Sequence, residues 1–323
     1  MLAILKNNFY RLWEEKAYLF VSMFLTICAV TAAIVLTNNV QVKGNIAVVS
    51  KDKNIEFADC KYFNITVLNS APKKSELVQN RYDAVVTIDN GNYKIYTIKN
   101  NDLEMMIKSA LQNPKKFTPP MDTERKTGTN IIGYMMMFLL MQGVLYARLF
   151  SEDKEKHMIE RVLVSPIAFR NYLLGHAIFI MSIILIPSFI VIAGAKIIGA
   201  NIGFSLMQYA GLLLVLSMLS TAFALFLCSL FNSADTTNMI GSACLVLTSI
   251  LAGSFYSFSK NRVIFNKILH ILPQKDFINY ADALEKGNIS INTNLQFTYV
   301  IALTTALFVF SILKTRKDYI YHK

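Results

Sequence analysis

The densest run of titratable side chains in this sequence is Glu152, Asp153, Lys154, Glu155 and Lys156, followed shortly by Glu160 and Arg161. Mixed signs at separations of three and four residues suit a short helix laced by its own ion pairs. Ile159, Val162 and Leu163 give that helix an apolar edge. A rigid charged segment of this kind performs no covalent chemistry. It suits docking in a groove on a soluble partner, or else it is a solvated loop at a membrane surface. Covalent chemistry has no better seat elsewhere. The sequence contains no HExxH zinc motif, no paired Asp within an apolar run and no GxxxxGK[ST] phosphate loop. Cys28, Cys60, Cys228 and Cys244 form no CxxC pair, and three of them lie inside apolar runs, so neither a metal site nor a disulfide framework is indicated. His176 sits at the edge of an apolar run and reads as an interfacial histidine rather than a proton relay.

The elements that must carry these residues are set by composition. Of 323 residues 54% are apolar and 16% charged, with a mean hydropathy of +0.41. Soluble domains are about 45–50% apolar and about 25% charged. The excess is gathered into six stretches, each long enough to cross a ~30 Å hydrocarbon core as a helix. A soluble enzyme, a disordered chain and a membrane β-barrel with its alternating pattern are thereby excluded. The net charge of +11 sits almost wholly between the apolar runs, which provides no basic stripe for nucleic acid. No Asp, Glu, Lys or Arg occupies the centre of a run, so an ion-coupled carrier lacks its coupling group.

Along the chain, residues 1–17 form an amphipathic segment. Leu2, Leu5, Phe9, Leu12 and Trp13 recur at helical spacing, as expected for a helix lying in the membrane interface. The expected spans are about 18–37, 130–149, 172–195 (interrupted by Pro187), 204–230, 236–257 and 296–313. Residues 41–126 are the one large polar insert. Within it YDAVVTI and YKIYTI flank Asn90-Gly91, the signature of a hairpin with a tight turn, and 102–112 reads as a helix. The fold class expected is an all-α polytopic membrane protein with six transmembrane helices and a small α+β extracellular domain inserted between spans one and two. Its three parts are 1–40, 41–126 and 127–323. The last includes the charged segment 150–170 and an external amphipathic helix within 258–273. Met135, Met136, Met137 and Met141 read as lipid-facing packing. Ser249, Gly253 and Ser257 read as a small-residue row allowing close helix contact.

Lys and Arg in short loops set orientation. With the N-terminus cytoplasmic, that side holds 12 such residues and the opposite short loops 6, which places both termini inside and 41–126 outside.

The charged segment resembles the first cytoplasmic loop of type-2 ABC exporter permeases, whose pattern runs E-[KR]-E-x-G-T-[LI]-E-R-L-x-x-[ST]-P and then a Gly-Lys. Asp153, Lys154, Glu155, Ile159, Glu160, Arg161, Ser165, Pro166 and Gly175 fit; His157 stands for the Gly, Met158 for the Thr and His176 for the Lys. The layout is similar to the subgroup with a large external insert. LAGSFYSF at 251–258 and Leu272-Pro273 resemble the outward gate, which implies gate roles for Gly253, Phe255 and Pro273. The resemblance implies a plasma-membrane permease half that pairs with a second permease chain. It also implies a cytoplasmic ABC ATPase subunit coupled through 151–165, and an amphipathic or hydrophobic cargo such as a drug, lipid or antimicrobial peptide. No cofactor is expected on this chain, because ATP and Mg would sit on the ATPase. The rival reading is a membrane-anchored receptor or scaffold whose external domain binds a ligand without transport.

Overall fold

The structure is a computed structural model, and it describes residues 2–14, 16–38, 44–49, 63–68, 70, 72, 74–78, 81–89, 92–97, 101–112, 125–164, 168–254 and 269–320. It divides into two compact units, Thr37–Glu124 and the remainder, Met1–Leu36 with Arg125–Lys323.

The smaller unit is α+β. Strands β1 (Gly44–Val49), β2 (Phe63–Leu68), β3 (Ala84–Asp89) and β4 (Asn92–Thr97) form one sheet in the order β2-β1-β3-β4. β1 runs parallel to both neighbours, and β3 pairs antiparallel with β4 from Ala84↔Thr97 to Asp89↔Asn92. That register leaves a two-residue connection, as the Asn-Gly signal requires; Asn90 and Gly91 themselves lie outside the described residues. β1 is covered on both faces, which explains its unbroken apolar run IAVV. On one face Ile46, Val48, Phe63 and Val86 pack with Ile107, Ala110 and Leu111 of α4 (Asn101–Gln112). On the other, Ala47 and Val85 meet Leu77 of α3 (Lys74–Val78) and Tyr82.

The larger unit is helical: α1 (Leu2–Glu14), α2 (Lys16–Asn38), α5 (Thr127–Glu155), α6 (Met158–Leu163), α7 (Phe169–Ile197), α8 (Leu206–Leu230), α9 (Ala234–Leu251), α10 (Pro273–Lys286) and α11 (Ile291–Ile320). Among the described residues four helices, α5, α7, α8 and α11, are long and apolar enough to cross a membrane. The molecule is a polytopic helical membrane protein. α2 contributes a described apolar stretch of Met23–Val35. The fifth expected span is shorter than read, because α9 ends at Leu251 rather than 257. α7 runs unbroken through Pro187, where an interruption was expected, and α11 begins at Ile291, one turn before the expected 296.

The core forms around α8, which packs on α5, α7 and α11. Its N-terminus is fixed by a capping box in which Ser205 and Gln208 satisfy each other's backbone N–H. Where α8 crosses α5, Ser220 donates to the Leu139 carbonyl at 2.8 Å. Gly143 stands opposite, because a Cβ there would overlap the Ser220 hydroxyl. Met135 and Met136 are fully buried in this core rather than facing lipid. α1 lies against α7, with Phe9 edge-on to Phe179 at 5.1 Å. Its Trp13 and Tyr10 remain exposed.

Candidate functional site

α5 has 29 residues, about 44 Å of helix against a ~30 Å hydrocarbon core. The helix is longer than a crossing needs, and its last turns carry the charges singled out in the sequence. Those charges were expected on a separate short helix beginning near Ser151 that docks on a soluble partner, or else in a solvated loop. Instead Ser151, Glu152, Asp153 and Lys154 belong to α5 and are buried. The reason is angular. Successive helix residues point about 100° apart, so each of these side chains reaches a different neighbour.

Asp153 lies between α1 and α7. Arg11 Nη1 reaches its Oδ1 at 2.7 Å, Tyr172 donates its hydroxyl to Oδ2 at 2.6 Å, and His176 Nε2 stands 3.3 Å from Oδ2. His176 is buried, with Asn8 Nδ2 at 3.1 Å from its Nδ1. Asn8 donates to Nδ1, while Nε2 stands at ion-pair distance from Asp153 without a hydrogen-bond partner of its own. Phe150 and Tyr172 pack edge-on against the same ring. Glu152 gathers three cations, Arg11, Arg148 and Lys156. On the opposite side of the helix, Lys154 Nζ donates to the carbonyls of Cys228 and Phe231, each at 2.9 Å. Glu155 accepts from the backbone N–H of Ala234 at 2.7 Å. A cation thus closes the C-terminus of α8 and an anion the N-terminus of α9, both in the sense the helix dipole favours. The end of α5 therefore grips α1, α7 and the α8–α9 turn together.

Only beyond this knot does the segment turn outward. α5 ends with Lys156 and His157 folding back onto the Glu152 and Lys154 carbonyls. His157 takes the left-handed conformation, φ 54°, the usual exit from a helix. α6 follows, anchored by fully buried Ile159, with Glu160, Arg161 and Val164 exposed. Glu160 pairs with His157 at 2.9 Å. Ser165 and Pro166 lie outside the described residues.

Residues 104–284, more than half of the chain, match the family described as ABC-2 type transporter. The chain belongs to that family. It is a permease of the ABC-2 type, a transport membrane component. No curated protein matches it.

The other residues of this ABC-2 permease singled out from sequence do not form one site. Ser249 is buried in α9, but Gly253 follows the helix in a turn at φ 80°, where its carbonyl accepts from Arg125 Nη1. The expected row of small residues is therefore not a helix face beyond Ser249. Phe255 and Ser257 lie outside the described residues, as does most of the expected external helix 258–273. Pro273 opens α10 as its first helical residue.

Sequence reasoning missed α10 itself. Its signals were present: Pro at the first turn, Asp276 after it, and Gly287 at the C-terminal end with φ 74°. α10 contributes Glu285, whose carboxylate accepts from Gly128 N–H at 2.8 Å, Thr129 N–H at 2.7 Å and the Thr129 hydroxyl at 2.7 Å. This is an N-terminal cap for α5 supplied from another helix. At the other end of α10, Asp276 meets His270 Nδ1 at 2.6 Å. Burial pushes the Asp276 carboxyl above its ordinary range, with His270 pulling the other way.

Proposed function

We propose that this permease exports an amphipathic or hydrophobic compound across the plasma membrane, powered by a separate cytoplasmic ABC ATPase. Two such chains would pair around the path. Six spans, both termini cytoplasmic and the 41–126 insert outside complete the arrangement, supported by the Lys/Arg distribution. ATP and Mg would be held by the ATPase.

One observation carries the reading: α6 offers exposed Glu160 and Arg161 directly beside a buried charged knot that holds three other elements. A push on α6 enters α5 through the turn at His157 and Ile159. It reaches α1 and α7 through Asp153 and the α8–α9 turn through Lys154 and Glu155. Because each junction is a fixed ion pair or a charged helix cap, the helices respond as bodies rather than by local give. Gly253 and Pro273, at the far ends of α9 and the start of α10, fit the outward gate.

Single exposed charges contribute only about 0–1 kcal/mol, so the test reverses both. Glu160→Lys with Arg161→Glu preserves net charge, and juxtaposed like charges at a desolvating contact can cost several kcal/mol. Membrane insertion and ATPase abundance are expected to be unchanged, while ATPase activity of the assembled complex and export both fall sharply. Normal export by an intact double-variant complex would sink the proposal.

A further inference from the structure

His176 is the only buried histidine among the described residues, and it sits where α1, α5 and α7 meet. α1 faces it with Asn8 and Arg11, α5 with Asp153, and its own helix with Tyr172. Asn8 Nδ2 donates to Nδ1, so the ring is neutral with its proton on Nε2. In that state two buried atoms lack a hydrogen-bond partner, Asn8 Oδ1 and His176 Nε2.

A protonated ring answers both. Nδ1 then carries a hydrogen and no longer accepts, so the Asn8 amide turns over and its Oδ1 takes that hydrogen. Nε2–H, already 3.3 Å from Asp153 Oδ2, becomes one half of a charge-assisted pair. The proton has a way in. An open cleft of about 460 Å³ lies between α1, α5, α6 and α7, and Asn8, Asp153, Tyr172 and His176 are among its lining residues. Besides Arg11 and Asp153, the charged group in that lining is Lys156.

Charge then redistributes within the knot. Neutral His176 leaves Asp153 to Arg11, whose Nη1 lies 2.7 Å from Oδ1. An imidazolium adds a second cation to the same carboxylate, and Arg11 has an alternative in Glu152, 3.3 Å from its Nη2. Protonation thus tightens α7 on α5 while moving Arg11, and α1 with it, toward Glu152. Lysine, which the family pattern carries at this position, holds the charged state throughout the physiological range. Histidine is the side chain whose ordinary charge change falls between about pH 5 and 8. We propose that His176 is a proton switch that sets how firmly α1 is held to α5. Its effect on transport rests on the coupling reading above; the switch itself does not.

Trp13, the sole tryptophan of the chain, lies on α1 with Asn8 and Arg11 and is exposed, so its emission reports on that helix. The whole permease chain, without ATPase, is titrated in detergent between about pH 5 and 8, following Trp13 emission and its quenching by acrylamide. The wild type is expected to show one step in both. His176→Gln is expected to stay at the alkaline plateau and His176→Lys at the acidic one, neither with a step. A variant carrying His157→Gln, His270→Gln and His322→Gln leaves Asn8, Arg11, Asp153 and Tyr172 untouched and is expected to keep the step. A flat wild-type profile, a step that survives in His176→Gln, or its loss in the triple variant would each overturn the switch. Because no ATPase is present, these failures leave the coupling reading standing, and failure of the Glu160–Arg161 reversal leaves the switch standing.

Discussion

At the residue scale, two substitutions relative to the family pattern acquire physical meaning. His157 occupies the position where the pattern carries Gly, and it is the one non-glycine among the described residues with positive φ. Glycine reaches that conformation freely, whereas other L-residues incur roughly 1–2 kcal/mol. Its pairing with Glu160 offsets part of that cost. His157→Gly is therefore expected to leave the fold intact and raise stability by about 1 kcal/mol or less. His157→Val, β-branched and unpaired, is expected to lower the melting temperature in detergent. The second position is His176, where the pattern has Lys: it faces Asp153 from α7 one turn beyond Tyr172, so a basic group here has a carboxylate to meet. Arg11 meets the same carboxylate from α1. Removing one partner of a buried pair costs about 3–5 kcal/mol. Arg11 keeps a quarter of its side chain exposed, so Arg11→Ala is expected near the lower end of that range. In a double-variant cycle, Asp153→Asn should return part of the loss, because the stranded charge is then gone. Additive losses would show that the two side chains do not interact.

At the element scale, helix ends as well as helix faces organise the larger unit. α8 and α9 are closed by Lys154 and Glu155 of α5, and α5 is closed at its other end by Glu285 of α10. A carboxylate that receives two backbone N–H groups and a hydroxyl holds donors which the helix cannot satisfy internally. Glu285→Ala leaves those donors without their acceptor. A loss of about 1–3 kcal/mol for each group left buried and unpaired is expected, read as lowered thermal stability and faster amide exchange in residues 127–131. Glu285→Gln retains an acceptor and should lose less. Equal stability of all three proteins would mean that water replaces the carboxylate and that α10 does not hold α5.

At the scale of the whole molecule, the proposed path of force requires α6 and the α8–α9 turn to share the cytoplasmic side, with the insert opposite. Cysteine at Asn90, in the β3–β4 connection, is expected to react with an impermeant thiol reagent applied to intact cells. Cysteine at Ser233, which caps α9 beside Glu155, is expected to react only after permeabilisation. The native cysteines Cys28, Cys228 and Cys244 are free, so the experiment needs a background in which all four cysteines of the chain are replaced. Labelling in the reverse order would place the ATPase contact on the wrong side.

Local properties were readable from the residues alone. Hydropathy is summed along a single helix, so the long apolar runs announced α5, α7, α8 and α11 without reference to a partner. Asn90-Gly91 between alternating runs fixed the β3–β4 pairing, because turn geometry is decided by the residues in and beside it. The exposed Glu160 and Arg161 on α6 were likewise foreseeable. What the charges at 152–155 do was not. Their spacing along the chain is the same whether they face solvent or protein; only the packing of α1, α7, α8 and α9 around the end of α5 gives each its partner. The same holds for Glu285, which lies more than 150 residues from the helix it caps. Neither could be read from linear order, because an ion pair and a cap across helices depend on which surfaces meet, and that is decided by the shape of the whole core.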